Sequence, residues 1–150
     1  MKPGKVRSIA ICVFRDQGRI LASEGYDAVK NQVFYRPLGG AIEFGELAAD
    51  TIRREILEEL GLEVMNTRYL GTIENVFTFQ GQRGHEIVLV FDAEFVNQQA
   101  YRQPLLMGLE DDDPIKAYWK QLDEFSPGNT GVNPPLYPTG LYEMLTEATA

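Results

Sequence analysis

The chain has 150 residues, 44% of them hydrophobic, with a formal net charge of −8 and a pI near 4.7. That length suits one domain, residues 1–150, able to bury roughly 70% of its unfolded surface, and the composition excludes a wholly disordered chain. The acidic balance argues against a nucleic acid polymer as partner, which demands a basic face. No apolar run reaches the roughly 20 residues of a membrane span, and Met1-Lys2-Pro3-Gly4-Lys5 is not followed by the apolar segment of a signal peptide. The single cysteine, Cys12, sits in the apolar run Ser8 to Phe14. It cannot form an internal disulfide, and a buried, inert thiol fits a reducing, cytoplasmic setting.

In chain order, Val6 to Phe14 reads as a buried strand rich in β-branched and aromatic residues. Asp16-Gln17-Gly18-Arg19 is a turn into a short strand at Ile20 to Ala22, and Gln32 to Arg36 is another, stopped by Pro37. A helix is expected from Glu46 to Leu60, with Ile52, Ile56 and Leu60 as its inward stripe and Gly61 as its cap. Strands follow over Glu63 to Phe79 and Glu86 to Val96, joined by a turn at Gly81 to Gly84. The acidic run Glu110-Asp111-Asp112-Asp113 before Pro114 reads as a solvated turn. Ala117 to Leu122 adds a strand, and Leu141 to Ala148 closes the chain as a helix. Strands with helices from separate parts of the chain imply an α/β protein, a mixed sheet between helical layers.

The helix carries the chemistry. Glu55 lies three residues before Glu58 and four before Glu59, which puts the three side chains in one sector of about 100°. Two carboxylates about 4 Å apart repel by about 4 kcal/mol at an effective dielectric of 20. A divalent cation reverses that penalty, and hard oxygen donors suit magnesium, manganese or calcium. A solvated acidic face is the plainer alternative for any Glu-rich helix. Likewise Arg54 is spaced to pair with Glu58, and Glu46 could merely favour the helix dipole. The twelve-residue loop of a calcium module is absent.

The full pattern decides between them. Gly40, Glu46, Arg54, Glu55, Ile56, Glu58, Glu59, Gly61 and Leu62 fill nine specified positions, a coincidence on the order of once in 10^10 at average residue usage. This resembles the Nudix box. Arg36-Pro37-Leu38-Gly39-Gly40 is similar to the family's approach to the box, although the common order there is Leu-Pro-Gly-Gly, and Tyr118 to Phe125 is similar to its late strand and turn.

The resemblance implies a Nudix-like α/β/α sandwich and a nucleotide pyrophosphohydrolase. Such an enzyme cuts a phosphoanhydride in a nucleoside diphosphate-linked small molecule, using Mg²⁺ or Mn²⁺. It implies metal ligation by Glu55, Glu58, Glu59 and a backbone carbonyl at Gly39 or Gly40, with Arg54 orienting a neighbouring glutamate. A homodimer is the family-based expectation. For the base, Glu55 is the first choice, with Glu46, Glu86 beside the single histidine His85, and Glu110 also open. Arg36 is a candidate for substrate phosphate. Of the adjacent Phe34 and Tyr35, one must face outward on a strand, so Tyr35 is a candidate for the pocket. A non-catalytic nucleotide-sensing or scaffolding domain is the alternative, and it usually shows a broken box. The sequence does not specify the substrate.

Overall fold

Alternation along the first strand divides the interior into two layers. The computed structural model describes residues 4–129, 131 and 133–147; Met1 to Pro3 and the expected helix end at Ala148 lie outside them. In β1 (Val6–Val13), Ala10 and Cys12 enter one core layer and Ile9, Ile11 and Val13 enter the other. This strand lies antiparallel to β5 (Leu38–Ala41) and parallel to β7 (Gln82–Phe95). Antiparallel β6 (Val64–Phe79) completes a mixed sheet in the order β5-β1-β7-β6. A second, antiparallel sheet runs β2 (Arg15–Asp16), β3 (Arg19–Asp27), β9 (Asp113–Gln121) and β8 (Leu105–Glu110), with β4 (Gln32–Arg36) also on β3.

Two helices cover the layers. Helix α1 (Ala48–Leu60) buries Ile52 and Ile56 in the cluster with Ala10, Cys12, Leu21 and Trp119. Helix α2 (Leu141–Glu147) buries Leu141 and Leu145 with Ile9, Ile11, Val13, Val88 and Val90. At roughly 1.5–3 kcal/mol for each fully buried aliphatic side chain, these contacts fix both helices to the sheet. The α/β/α arrangement is therefore present. Cys12 is fully buried, and burial pushes its thiol pKa up, with Asp92 adding to the shift. Among the described residues no helix is long and apolar enough to cross a membrane.

Several boundaries differ from the sequence reading, each for a local reason. Helix α1 begins at Ala48 instead of Glu46 because Leu47 has extended backbone (φ −76°, ψ 147°). The expected Gly61 cap forms, with φ 69° and its N–H donating to the Leu57 carbonyl at 2.9 Å. The hairpin joining β6 to β7 turns at Gln80 and Gly81 (φ 53° and 79°), so β7 starts at Gln82. The acidic run is split between the end of β8, a turn at Asp111 and Asp112 (φ 48° and 69°), and the start of β9. Strands β5 and β8 were not anticipated. Gly39 and Gly40 give β5 no intrinsic strand preference, and its state comes from pairing with β1.

Candidate active site

The loop between β5 and α1 is tied to the helix by one arginine. Arg54 Nε donates to Glu46 Oε2 at 2.8 Å and its Nη2 to Glu46 Oε1 at 3.0 Å, a two-pronged pair. Nη2 also donates to the Ala41 carbonyl at 3.1 Å, and Nη1 to Glu55 Oε1 at 2.8 Å. Glu46 further accepts from Thr51 Oγ1 at 2.7 Å and from the Glu43 N–H at 3.2 Å. The hydrogen bonds from Arg54, then that from Thr51, hold the Glu46 carboxyl down to about 2. Glu46 thus acts as a clasp in the loop ahead of the helix; the acid of the first helical turn is Asp50.

Glycines let the carboxylates approach the backbone. A Cβ at Gly40 would sit 2.5 and 2.7 Å from the two carboxylate oxygens of Glu55. One at Gly108 of β8 would collide with the Glu59 carbonyl, so that strand lies directly against the helix backbone. Both contacts need a residue without a side chain.

Glu59 is the unusual member. It is only 6% exposed, and its Oε1 is buried with no hydrogen-bond partner. Burial pushes its pKa well above the ordinary carboxylate range, followed by its contact with Glu55 and the negative charge of Glu110, with Arg36 opposing. A buried carboxylate beside other carboxylates is costly when ionised, and a proton or a bound cation relieves that cost.

The three helical glutamates do not share one environment as expected. The Glu58 side chain is 59% exposed and lies 3.5 Å from Arg54 Nη1, whereas Glu59 turns inward. The Arg54 guanidinium lies within ion-pair distance of Glu43, Glu46, Glu55 and Glu58. Among the described residues, no group of three His, Cys, Asp or Glu side chains is arranged as a ready cation cage. The donor set still fits a hard divalent ion. Glu55 and Glu59 are one helical turn apart, one Glu59 oxygen is buried and unsatisfied, and Glu58 adds an exposed carboxylate on the same helix.

Other expected residues separate into those near this cluster and those elsewhere. Arg36, half-exposed, is 3.8 Å from Glu110, and both act electrostatically on Glu59. Glu110 is brought there by β8, and its relevance could be guessed from its charge but not placed without that strand. Tyr35 does not face the cluster. It is 7% exposed in the layer beneath α2, its hydroxyl donates to Glu24 Oε2 at 2.7 Å, and Lys120 Nζ lies 4.8 Å from its ring centroid. Strand alternation is the reason: Tyr35 points opposite to its neighbours Phe34 and Arg36. Phe34 instead packs against Phe79 and Tyr137. Glu86 is also buried and lies 3.6 Å from Arg7. By alternation it shares the face of Val88 and Val90, opposite to α1, so it is not beside the helical glutamates.

A folded mixed sheet carrying an arginine-clasped, carboxylate-rich helix defines the class to which the chain belongs. Its sequence matches the NUDIX domain over residues 4–139, and the chain is a member of the Nudix hydrolase family. Among curated proteins it is similar to the NAD-capped RNA hydrolase NudC of Pseudomonas aeruginosa (32% identity over 93 residues, 62% of this chain and 29% of that protein). It is also similar to NudC of Actinobacillus succinogenes (39% identity over 67 residues, 43% of this chain and 25% of that protein). The matched stretch thus covers less than a third of these relatives. Solved structures with the same fold include the E. coli ORF135 protein (TM-score 0.58, 19% identity, 97% of this chain and 92% of that one). Another is the MutT NUDIX hydrolase of Burkholderia pseudomallei (TM-score 0.58, 19% identity, 97% and 99% coverage).

Proposed function

We propose that this chain hydrolyses a phosphoanhydride bond in a nucleoside diphosphate-linked substrate, with Mg²⁺ or Mn²⁺ as its cofactor. The observation that carries the reading is a buried Glu59 whose Oε1 has no partner, one helical turn from Glu55. In this reading Glu55, Glu58, Glu59 and the Gly40 carbonyl hold the cation. When bound, such an ion neutralises phosphate oxygens and makes a water more acidic.

The remaining work falls to the chain. Arg54 fixes the Glu55 carboxylate from one side through Nη1, and Gly40 leaves it room on the other. Glu46 holds Arg54 in turn, so its role is positioning. Glu55 is the first candidate for the base that accepts the water proton. Glu110 is a second, since β8 places its charge next to Glu59. Arg36 at the rim offers a guanidinium to a substrate phosphate, where its weak pairing with Glu110 is easily exchanged. Tyr35 and Glu86 are left out of this arrangement, for the reasons of sheet face given above.

The test is a hydrolysis panel with product identification in Mg²⁺ or Mn²⁺. It includes nucleoside triphosphates, dinucleotides and nucleotide sugars. The names of the NudC relatives add NAD-capped RNA, against which the net charge of −8 argues. Metal-dependent products that are lost in Glu59→Gln and Glu58→Gln are expected; full turnover in both variants overturns the metal role. Tight nucleotide binding with no products identifies the non-catalytic alternative.

A further inference from the structure

We propose that Thr51 is a positioning residue for the helical carboxylates: its hydroxyl sets Glu46, Glu46 sets Arg54, and Arg54 sets Glu55. This role rests on the reading of Glu55 as part of the metal and water site.

Thr51 is the fourth residue of α1 and is fully buried. An aliphatic side chain would suit such a place at less cost, since a hydroxyl taken out of water must find an acceptor. Threonine in a helix ordinarily returns its hydroxyl to the carbonyl four residues back. Here that carbonyl, of Leu47, lies at 3.3 Å and already accepts the Asp50 and Thr51 N–H groups at 2.9 and 3.0 Å. Glu46 Oε1 is closer, at 2.7 Å, and charged, so the single hydroxyl proton goes to the carboxylate.

The loop that carries Glu46 turns its apolar side chains outward. Phe44 and Leu47 are exposed, Gly45 has φ 83°, and Leu47 gives the helix no side-chain cap. Polar bonds to α1 therefore hold Glu46, and two residues of the helix make them: Arg54 with its fork, and Thr51. The fork alone leaves the planar pair free to rock as a unit, because both partners end long side chains. Thr51 removes that freedom. Its hydroxyl sits on a branched Cβ whose rotation the helix restricts, so Glu46 Oε1 is tied closely to the helix backbone. Arg54 Nη1 then carries the setting on to Glu55 Oε1 at 2.8 Å.

The experiment compares, in the full chain, Thr51→Val, which keeps the shape without the donor, and Thr51→Ser, which keeps the donor. The Arg54 Nε–H resonance is followed in EDTA, Mn²⁺ is titrated by calorimetry, and kcat/KM is measured on the substrate found by the hydrolysis panel. In Thr51→Val the Arg54 Nε–H is expected to exchange faster with water and Mn²⁺ affinity to fall several-fold. A loss of about tenfold in kcat/KM is expected, the scale of a hydrogen bond to a charged group. Thr51→Ser is expected to recover most of each. Because the role acts through Glu46, Thr51→Val should add less than about twofold on a Glu46→Ala background. Losses that Thr51→Ser does not recover, or that multiply undiminished with Glu46→Ala, reduce Thr51 to core packing and overturn the proposal. An Arg54 Nε–H unmoved in Thr51→Val overturns it as well. If no substrate is turned over and Mn²⁺ is not bound, the hydrolase reading fails, and the Arg54 resonance with its recovery in Thr51→Ser still decides whether Thr51 sets Arg54. If Thr51→Val does not fold, Thr51→Ala takes its place against Thr51→Ser.

Discussion

Gly40→Ala tests how finely Glu55 is placed. The added Cβ would stand 2.5 and 2.7 Å from the Glu55 carboxylate oxygens, where ordinary contact begins at 3.4 Å. The carboxyl carbon is nearer still, at 2.3 Å, so the carboxylate must retreat by about 0.7 to 1.1 Å, and it cannot do so without stretching its 2.8 Å hydrogen bond from Arg54 Nη1. A misplacement near 1 Å at a reacting group costs on the order of 10²-fold in rate. Stability should suffer far less, because the obstacle is the end of a flexible side chain and Gly40 does not have the positive φ that disfavours alanine. Gly39→Ala is the contrasting case. Its Cβ would collide with the Ala10 carbonyl and the Ile11 backbone, which cannot rotate away, so loss of β5 pairing and a lowered Tm are expected. The assay is kcat/KM on the substrate identified by the panel, beside a thermal melt of each variant. If Gly40→Ala turned over at the wild-type rate, or lost activity only in proportion to a collapsed Tm, the geometric reasoning would be refuted.

Three further outcomes follow from the site's electrostatics. Glu59 has a folded pKa raised above its unfolded value near 4.3. Its contribution to metal-free stability is complete below that value and is lost as pH rises towards the folded pKa. Denaturant midpoints in EDTA should therefore fall from pH 5 to pH 8 in the wild type and show a flatter profile in Glu59→Gln. Glu46 is the opposite case: its pKa is depressed to about 2, so its contribution is present above pH 4.3 and lost as pH falls towards 2. Glu46→Gln should blunt that acid-side loss in equilibrium unfolding. Finally, Mg²⁺ or Mn²⁺ binding should release a proton as Glu59 ionises, visible as a buffer-dependent binding enthalpy in calorimetry and absent in Glu59→Gln.

The helix and its glutamates could be read because both signals are local. Ile52 and Ile56 repeat at a four-residue step, Gly61 stops the helix, and the box spacing is a property of neighbouring positions. What the sequence obscured depends on partners distant along the chain. Leu38 to Ala41 is a strand only because β1 lies beside it, and Gly108 packs on the Glu59 backbone only because β8 pairs with β9. Tyr35 and Glu86 show the same limit at the level of a single side chain. Each is an apt residue type near the motif in sequence or charge, but sheet alternation sends each to the α2 layer. The buried, unpaired edge of the Arg15 guanidinium is likewise visible only once its surroundings are known.

The arrangement around Arg54 also explains why the helical glutamates need not be preassembled. With no cation, four carboxylates within reach of one guanidinium share its positive charge, and burial followed by the neighbouring carboxylates pushes the Glu59 pKa up. A divalent ion at Glu55 and Glu59 would take over part of that compensation. Glu58, exposed and 3.5 Å from Arg54, is then the carboxylate with least to lose on turning inward. Glu46, held at both oxygens by Arg54 and at one by Thr51, has most to lose and stays where it is. The same arginine thus distinguishes a carboxylate that moves from one that anchors, and Arg54→Lys, which keeps the charge but not the fork, removes that distinction.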